Sequence, residues 1–497
     1  MKTSRLLLWI CCALIVILAL AIRFYDFGDT PLDFNSTRQL HSALIARGMY
    51  YQQLPSAPQW QREMALRLRE KEGLIEPPVM EFLTAQTYHL LGNENLLVAR
   101  FYSILFWIVG GIFLFFASRR MNGEWCSLAA ILYYLILPFG AIASRAFMPD
   151  PLMTAATIAA YWGMLQWQHH RNWRWTIIAS LLAGFAIFIK AVAVFFIAGA
   201  WAGLLFGGQS IRRILTERRV WALAGLTVLP YLLFHIYGVY ISGALASQFN
   251  LRFFPQLWRD PVFYLQWKGQ ISGTLGLEWC LIALIASSFV QERPHRTMLL
   301  GIWAGYFAYG MTLPFHISTH DYYQLPLIPV VALGLAAAVS GTYKSFQSPK
   351  WLAYALLGAV MVFLTVINAW EVRVALKRYD FSQEPVYWQK LGQQIGQGKA
   401  VVGLMQDYGY RLSYWGWVES EQWMSSGDFN YRRLAGLEYD MDTLFAELTT
   451  GKDYFVVTAH DELERQPELK SLLYNRYPLL PIDGDALVFD LRHPMTP

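Results

Sequence analysis

Eleven apolar segments constrain this chain more than any other feature of it. They lie at 6–22, 96–117, 125–144, 151–167, 176–189, 191–207, 220–240, 275–290, 297–315, 322–341 and 351–370. The core of a bilayer offers no water to backbone N–H and C=O groups. A chain crossing it must pair those groups within helices or a closed barrel. Long continuous apolar runs without period-2 alternation read as helices. Composition agrees. The chain is 55% hydrophobic and 15% charged, against about 25% charged in soluble domains. The expected fold is therefore mainly α: a polytopic membrane helical bundle of about eleven transmembrane helices. No nucleic-acid partner is expected. Several segments are shorter than the ~20 residues of a full span, so some helices should be broken. The segments at 176–189 and 191–207 adjoin at Lys190, as a tight hairpin or one kinked helix.

Charge sets the expected orientation. Arg119/Arg120, Arg171/Arg174, Arg212/Arg213/Arg218/Arg219, Arg293/Arg296 and Lys344/Lys350 occupy alternate loops. Counting eleven spans puts all of them on the side of Lys2 and Arg5, which the positive-inside rule reads as cytoplasmic. The outer side then receives 23–95, 145–150, 241–274, 316–321 and the tail. A cleaved signal peptide is the alternative for 6–22, but its apolar core exceeds the usual ~7–15 residues. From Asp380 onward there are 10 basic and 18 acidic residues, a net of −8, and the rest of the chain carries +13. A basic membrane body with an acidic soluble tail follows. Cys11, Cys12, Cys126 and Cys280 have neither zinc-site nor disulfide-framework spacing.

Two domains are expected: a transmembrane domain over 1–370, whose first outer loop is 23–95, and an extracytoplasmic α/β domain over 371–497. That loop is too long to lack structure of its own. Thr37–Gln53 carries one apolar stripe, and Gln59–Glu72 alternates charges, so both read as helices, of the kind that lie in a membrane interface. In the tail, 399–405, 453–458 and 485–491 read as strands, and 389–397 and 463–474 as helices.

Ionisable residues at the ends of membrane helices are costly and often functional. Five places qualify: Asp33 with Arg38; Glu76 before Pro77-Pro78; Arg145 through Asp150; Lys190; and His316 with His320-Asp321-Tyr322-Tyr323. On the expected topology all five face one compartment, as a site at the membrane surface requires. Each has a structural alternative: a turn or N-cap for Asp33, an ion pair for Arg145 with Asp150, an interfacial snorkel for Lys190, an aromatic belt for the His320 cluster. Asp33, Glu76 and His320 are candidate ligands for a divalent ion, without diagnostic local spacing.

The order of these elements resembles the polytopic glycosyltransferases of the GT-C class, in particular the glycosyltransferase family 39-like group that includes protein O-mannosyltransferases and lipid A aminoarabinose transferases. Pro31-Leu-Asp33-Phe34 with Ala43-Leu-Ile-Ala-Arg47 resembles the acidic motif of that family's first outer loop. Glu76-Pro-Pro resembles its later Pro-Pro element, and Arg145 to Pro151 its Arg…Asp-Pro turn. Ile189-Lys190-Ala191 resembles its Thr-Lys-Gly, and Asp321-Tyr-Tyr-Gln-Leu-Pro326 its Tyr-Tyr-x-Leu-Pro. The resemblance covers about 1–345, and Phe34 departs from it by replacing the second acidic residue. It implies transfer of a sugar from a polyprenyl-phosphate-linked donor to a lipid, glycan or protein acceptor outside the cytoplasm, at the inner membrane of a bacterial cell envelope. Asp33 would then be the catalytic base. Arg38, Glu76, Arg145, Asp150, Lys190, His320, Asp321, Tyr322 and Tyr323 would bind substrates. A lipid or sugar transporter or flippase, and a non-catalytic membrane scaffold, are the competing classes. Internal repeats would favour a transporter, and none stands out.

Overall fold

The computed structural model describes residues 2–245, 252–345 and 350–495. Of the outer loop expected over 241–274, residues 246–251 lie outside this range, as do 346–349 in the loop carrying Lys344 and Lys350. The chain forms two compact units. One comprises Met1–Phe27, Leu74–Met80 and Leu97–Arg378; the other comprises Gly28–Gly73, Glu81–Leu96 and Tyr379–Pro497. The loop over 23–95 is thus divided between them.

The first unit is helical. Each of the eleven apolar segments falls on a helix, beginning with Lys2–Phe24 and ending with Lys350–Leu376. The shorter segments are broken or bent, with local causes. In 125–144 the helix Ser127–Ile136 stops and Pro138–Ala143 restarts, because Pro138 lacks an N–H and holds Leu137 extended at ψ 125°. An additional helix, Pro261–Thr274, meets Leu277–Ser287 at 93°. By length and composition alone, five of the described helices can cross a bilayer, or six if that bent pair is one span. The expected eleven therefore exceeds what helix length by itself supports, although the multi-pass architecture holds.

At Lys190 the helix Trp173–Ile189 ends on an extended residue, φ −154° and ψ 121°, and Ala193–Gly208 begins anew. This second helix lies against Arg293–Thr312 with almost no side chain between the two backbones. A Cβ on Gly199 would collide with the carbonyl of Gly301, and one on Gly203 with the carbonyl of Thr297. Small residues at such spacing let helices approach closely enough for dispersion to hold them where no hydrophobic effect operates. The contact fixes the two elements that flank the polar cluster described below.

The second unit joins most of the loop over 23–95 to the tail. The tail carries a four-stranded sheet in the order β2-β1-β3-β4, with β1 Ala400–Leu404, β2 Glu419–Gln422, β3 Tyr454–Val457 and β4 Leu487–Asp490. β1 is parallel to β2 and β3, and β4 is antiparallel to β3. Three of these strands are the ones expected. β2 reads Glu-Ser-Glu-Gln and lies at the sheet edge, so no apolar pattern announces it. One face of the sheet packs on Trp423, Phe429, Phe445, Leu469 and Leu473. The helices of this loop are Ser36–Gln52 and Gln59–Glu72, within one residue of their expected bounds. They dock on the tail through side chains: Lys71 pairs with Glu421 at 2.8 Å, and Arg47 donates to the carbonyl of Tyr414.

Gly203→Val should force the two glycine-faced helices apart and cost at least about 1–3 kcal/mol, the usual penalty of overpacking. Gly225→Ala, on an open helix face, should be neutral or slightly stabilising. Thermal denaturation of the detergent-solubilised protein compares the two.

Candidate functional site

In the first unit, Lys190 is the centre of a buried polar cluster. It is 7% exposed and Asp150 is 2% exposed. Its Nζ donates to both carboxylate oxygens of Asp150 at 2.9 Å and lies 3.9 Å from Glu76 Oε1. The position of each charge follows from a helix end. Asp150 opens the helix Asp150–His170, where the macrodipole favours an anion. Lys190 closes Trp173–Ile189, where it favours a cation. The rings of Tyr322 and Tyr323 lie 5.1 and 5.8 Å from Nζ, within range of a cation–π attraction.

A short 3-10 turn, Asp321–Leu327, holds the two tyrosines. Its Gln324 is fully buried. It accepts from Tyr306 Oη at 2.5 Å and donates to the carbonyl of Ile317 at 3.0 Å. Trp267 donates in turn to Tyr306 at 2.8 Å. Tyr323 stacks on Tyr309, with centroids 5.8 Å apart and planes 7° from parallel, and faces His316 at 5.4 Å. His320 lies 5.6 Å from Tyr322, ring to ring. Glu76, Asp150, Lys190, His320, Tyr322 and Tyr323 are thus brought together, with Asp321 at the start of the same turn.

Arg145 takes a different position. It is 1% exposed and donates to the carbonyl of Asp26 at 2.8 Å. Beside it Arg23, fully buried, donates to Ser144 Oγ at 2.8 Å and to the carbonyls of Leu135 and Ala19. Arg145 thereby helps fix the turn that ends the first helix, where Asp26 is left-handed at φ 52°. The ion pair considered between Arg145 and Asp150 gives way to the pair of Asp150 with Lys190.

Asp33 and Arg38 belong to the second unit. Asp33 is half-buried just before the helix Ser36–Gln52, between buried Leu32 and Phe34. Gln39 donates to the carbonyl of Phe34 at 2.6 Å, folding the segment back on the helix start. Phe34, where the resembled family has an acid, is a core residue here. Asp407 of the tail accepts from Ser36 Oγ at 2.6 Å and Thr37 Oγ1 at 3.2 Å.

A second carboxylate in this unit went unnoticed in the sequence. Glu72 Oε2 accepts from Tyr410 at 2.7 Å and lies 3.6 Å from His41 Nε2. Burial pushes its carboxyl up to about 7, against the opposing pull of Tyr410, Lys71 and Arg38. Its partners are either one helix earlier or more than 300 residues away, so no local spacing could reveal it. Among the described residues, no group of three or more His, Cys, Asp or Glu is arranged to hold a metal ion.

A family model described as dolichyl-phosphate-mannose-protein mannosyltransferase matches residues 75–237. A search of curated proteins found no match. Among solved structures, ArnT from Cupriavidus metallidurans in the apo state is similar at 18% identity and TM-score 0.60, over 96% of this chain and 97% of that one. The same enzyme bound to undecaprenyl phosphate matches at 16% identity and TM-score 0.59, with the same coverage. The archaeal oligosaccharyltransferase AglB from Archaeoglobus fulgidus, in complex with an inhibitory peptide and a dolichol-phosphate, matches at 11% identity and TM-score 0.58, over 97% of this chain and 74% of that one. The fold is accordingly that of the polytopic membrane glycosyltransferases, as the order of motifs implied.

Removing one member of a buried ion pair strands the other charge. Lys190→Ala should cost about 3–5 kcal/mol for that reason. Replacing both, as Lys190→Met with Asp150→Asn, should restore much of the stability. Melting temperatures of the three proteins check this, and activity that stays lost in the stable double variant assigns Lys190 to function as well as to folding.

For Glu72 the sign is set by a folded value of about 7 against an ordinary 4.5. Between these the unfolded chain has released its proton while the folded unit still holds it. Stability is therefore full below about pH 4.5 and declines as pH rises to about 7. Glu72→Gln should flatten the melting temperature over that window, measured across pH 5 to 8.

Proposed function

We propose that the protein transfers a sugar from a polyprenyl-phosphate-linked donor to an acceptor on the extracytoplasmic side of a bacterial inner membrane. The observation that carries this reading is the buried Lys190 cluster, a cation held among carboxylates and tyrosine rings in an otherwise apolar bundle. Supporting it are the likeness in fold to ArnT, one of whose structures holds undecaprenyl phosphate, and to AglB with a dolichol-phosphate. The family model over 75–237 spans Glu76, Arg145, Asp150 and Lys190. The alternating basic loops support an outer location for the first loop and the tail.

Roles divide by chemistry. An ammonium has three N–H donors, and two of those on Lys190 go to Asp150. The third is available to an oxygen of the donor phosphate, which gains charge as the glycosidic C–O bond breaks. Asp150 and Glu76 hold the ammonium in place. Tyr322 and Tyr323, supported by Tyr309 and His316, present apolar faces and hydroxyls to the sugar or the first isoprene units, with His320 and Asp321 beside them. Asp33 takes the proton of an acceptor hydroxyl, or orients the acceptor if that is a phosphate and already ionised. Arg38 serves the same anion. Arg145 acts from a distance, by holding the helix-end turn.

Asp33→Asn keeps size and removes basicity. It should lower turnover of a lipid-linked donor by roughly 10²–10⁴-fold if the acceptor is a hydroxyl, since that is what a general base contributes. The fall should be milder if the acceptor is a phosphate. Purified protein with polyprenyl-phosphate sugars, its products weighed by mass spectrometry, reads both cases. Full turnover in Asp33→Asn would move the role of base elsewhere.

A further inference from the structure

The tail domain has an open α/β sheet, and such sheets have one natural place for a ligand. It lies outside the carboxyl ends of the strands, where the chain order reverses. Here that place is between β1 and β3, because β1 leads to β2 on one side while β3 lies on the other. Just beyond the ends of these two strands, Gln406, through its side chain, and Thr458 bond to each other. Gln406 Nε2 donates to the carbonyl of Thr458 at 2.8 Å, and Thr458 Oγ1 donates back to Gln406 Oε1.

Immediately after Gln406 the backbone takes an unusual course. Asp407, Tyr408 and Gly409 are all left-handed, at φ 47°, 57° and 82°. Asp and Gly tolerate this region, but an aromatic residue rarely enters it. Such strain persists only where surrounding contacts over-determine it, and it clusters at sites where geometry matters. The result here is to swing the Asp407 carboxylate away from its own sheet and onto the start of the helix Ser36–Gln52. There it accepts from Ser36 and Thr37 at 2.6 and 3.2 Å. A carboxylate at a helix N-terminus is also favoured by the macrodipole. The other side of Asp407 is tied down: Arg411 Nε donates to it at 2.5 Å, and Arg411 Nη1 donates to Glu384 at 2.8 Å, which also accepts from Trp388. The carboxylate is thus fixed to the tail's first helix, Glu384–Ile395.

We propose that Asp407 is a positioning residue for the Asp33 segment: the tail clamps the start of the helix Ser36–Gln52, three residues after the base. The tail domain is then a working part of the acceptor site. This rests on the reading of Asp33 given above. The clamp sets the direction of the turn over Leu32–Asn35, and with it the carboxylate of Asp33. It makes no contact with substrate.

The test uses the full chain in nanodiscs, with the variants Asp407→Ala, Asp407→Asn and Ser36→Ala/Thr37→Val. The first and third remove the clamp. The second keeps an acceptor oxygen and a residue suited to left-handed backbone. Misplacement of a catalytic group by about 1 Å can cost about 100-fold. Asp407→Ala and Ser36→Ala/Thr37→Val should therefore lower kcat by about 10–100-fold with an unchanged KM for the lipid-linked donor. Asp407→Asn should restore most of the rate, and all three Ala/Val changes combined should be no worse than either set alone. Hydrogen exchange supplies a readout apart from activity. The amides of Arg38 and Gln39, which donate to the carbonyl of Asn35 at 2.9 and 3.2 Å, should lose protection in Asp407→Ala and keep it in Asp407→Asn. Should Asp407→Ala fail to fold, Ser36→Ala/Thr37→Val decides by the same two readouts. Full kcat and unaltered exchange in the clamp variants would overturn the proposal, as would an Asp407→Asn protein as impaired as Asp407→Ala. A wild-type protein inert toward every lipid-linked donor would count against the transferase reading alone, and the exchange of Arg38 and Gln39 would still decide whether the clamp exists.

Discussion

A charge inside an apolar bundle must be matched where it sits, and the pairing of Lys190 with Asp150 is the interaction on which the first unit depends. Taking either ion out of water alone costs several kcal/mol even after relaxation. The pair is tolerated because both oxygens of one carboxylate accept from one ammonium at 2.9 Å and because each charge sits at the helix end that favours it. This explains why the chain breaks its helices at these positions. Pro149 and Pro151 flank the start of one helix, and Lys190 ends another in extended backbone. A continuous helix through either point would place the charge mid-span. In a bilayer-spanning fold, the places where helices stop are the places where polar chemistry can be held.

The second unit is governed by a different constraint, the cost of ordering a long loop. The loop over 23–95 buries Leu40, Leu44, Ile45 and Tyr50 on Ser36–Gln52 but only Met64, Ala65 and Leu68 on Gln59–Glu72. It gains order by docking on the tail through polar partners. Arg47 lies between the rings of Tyr414 and Trp417 at 3.8 and 4.2 Å and pairs with Glu94 at 3.0 Å. Tyr410 reaches Glu72, and Lys71 reaches Glu421. Most of these contacts have an ionised member, and hydrogen bonds of that kind are worth more than neutral ones. Their dependence on protonation follows, since Glu72 is buried among them.

How much of this could be read in advance follows the range of the interactions. The apolar segments, the two loop helices and three of the four strands are local patterns, and the sequence carried them. The candidate residues Glu76, Asp150, Lys190 and Tyr322-Tyr323 were visible because a charged or polar group beside an apolar run is conspicuous wherever it lies. Their pairing was not visible, since Asp150 and Lys190 are separated by a whole helical hairpin. The contact of Arg145 with the carbonyl of Asp26 was not visible either, since no sequence pattern marks a backbone acceptor. β2 was missed because an edge strand of Glu-Ser-Glu-Gln has no buried face to pattern. Glu72, Tyr410 and Asp407 were missed because each acts on a residue more than 300 positions away.

The replacement of an acid by Phe34 can now be placed in this physical frame. Paired carboxylates need solvent, a cation or a shared proton, since two like charges at close range cannot both stay ionised. Phe34 is 7% exposed, and an acid at its position would be buried beside Asp33. Arg38 is the nearest cation along the chain. A phenyl ring removes the repulsion and adds apolar burial that anchors the turn. Asp33 is then left without an acidic residue next to it in the chain. Leu32 and Phe34 bury the chain on either side of Asp33, and Ser36 and Thr37, at the helix start that follows, donate to Asp407.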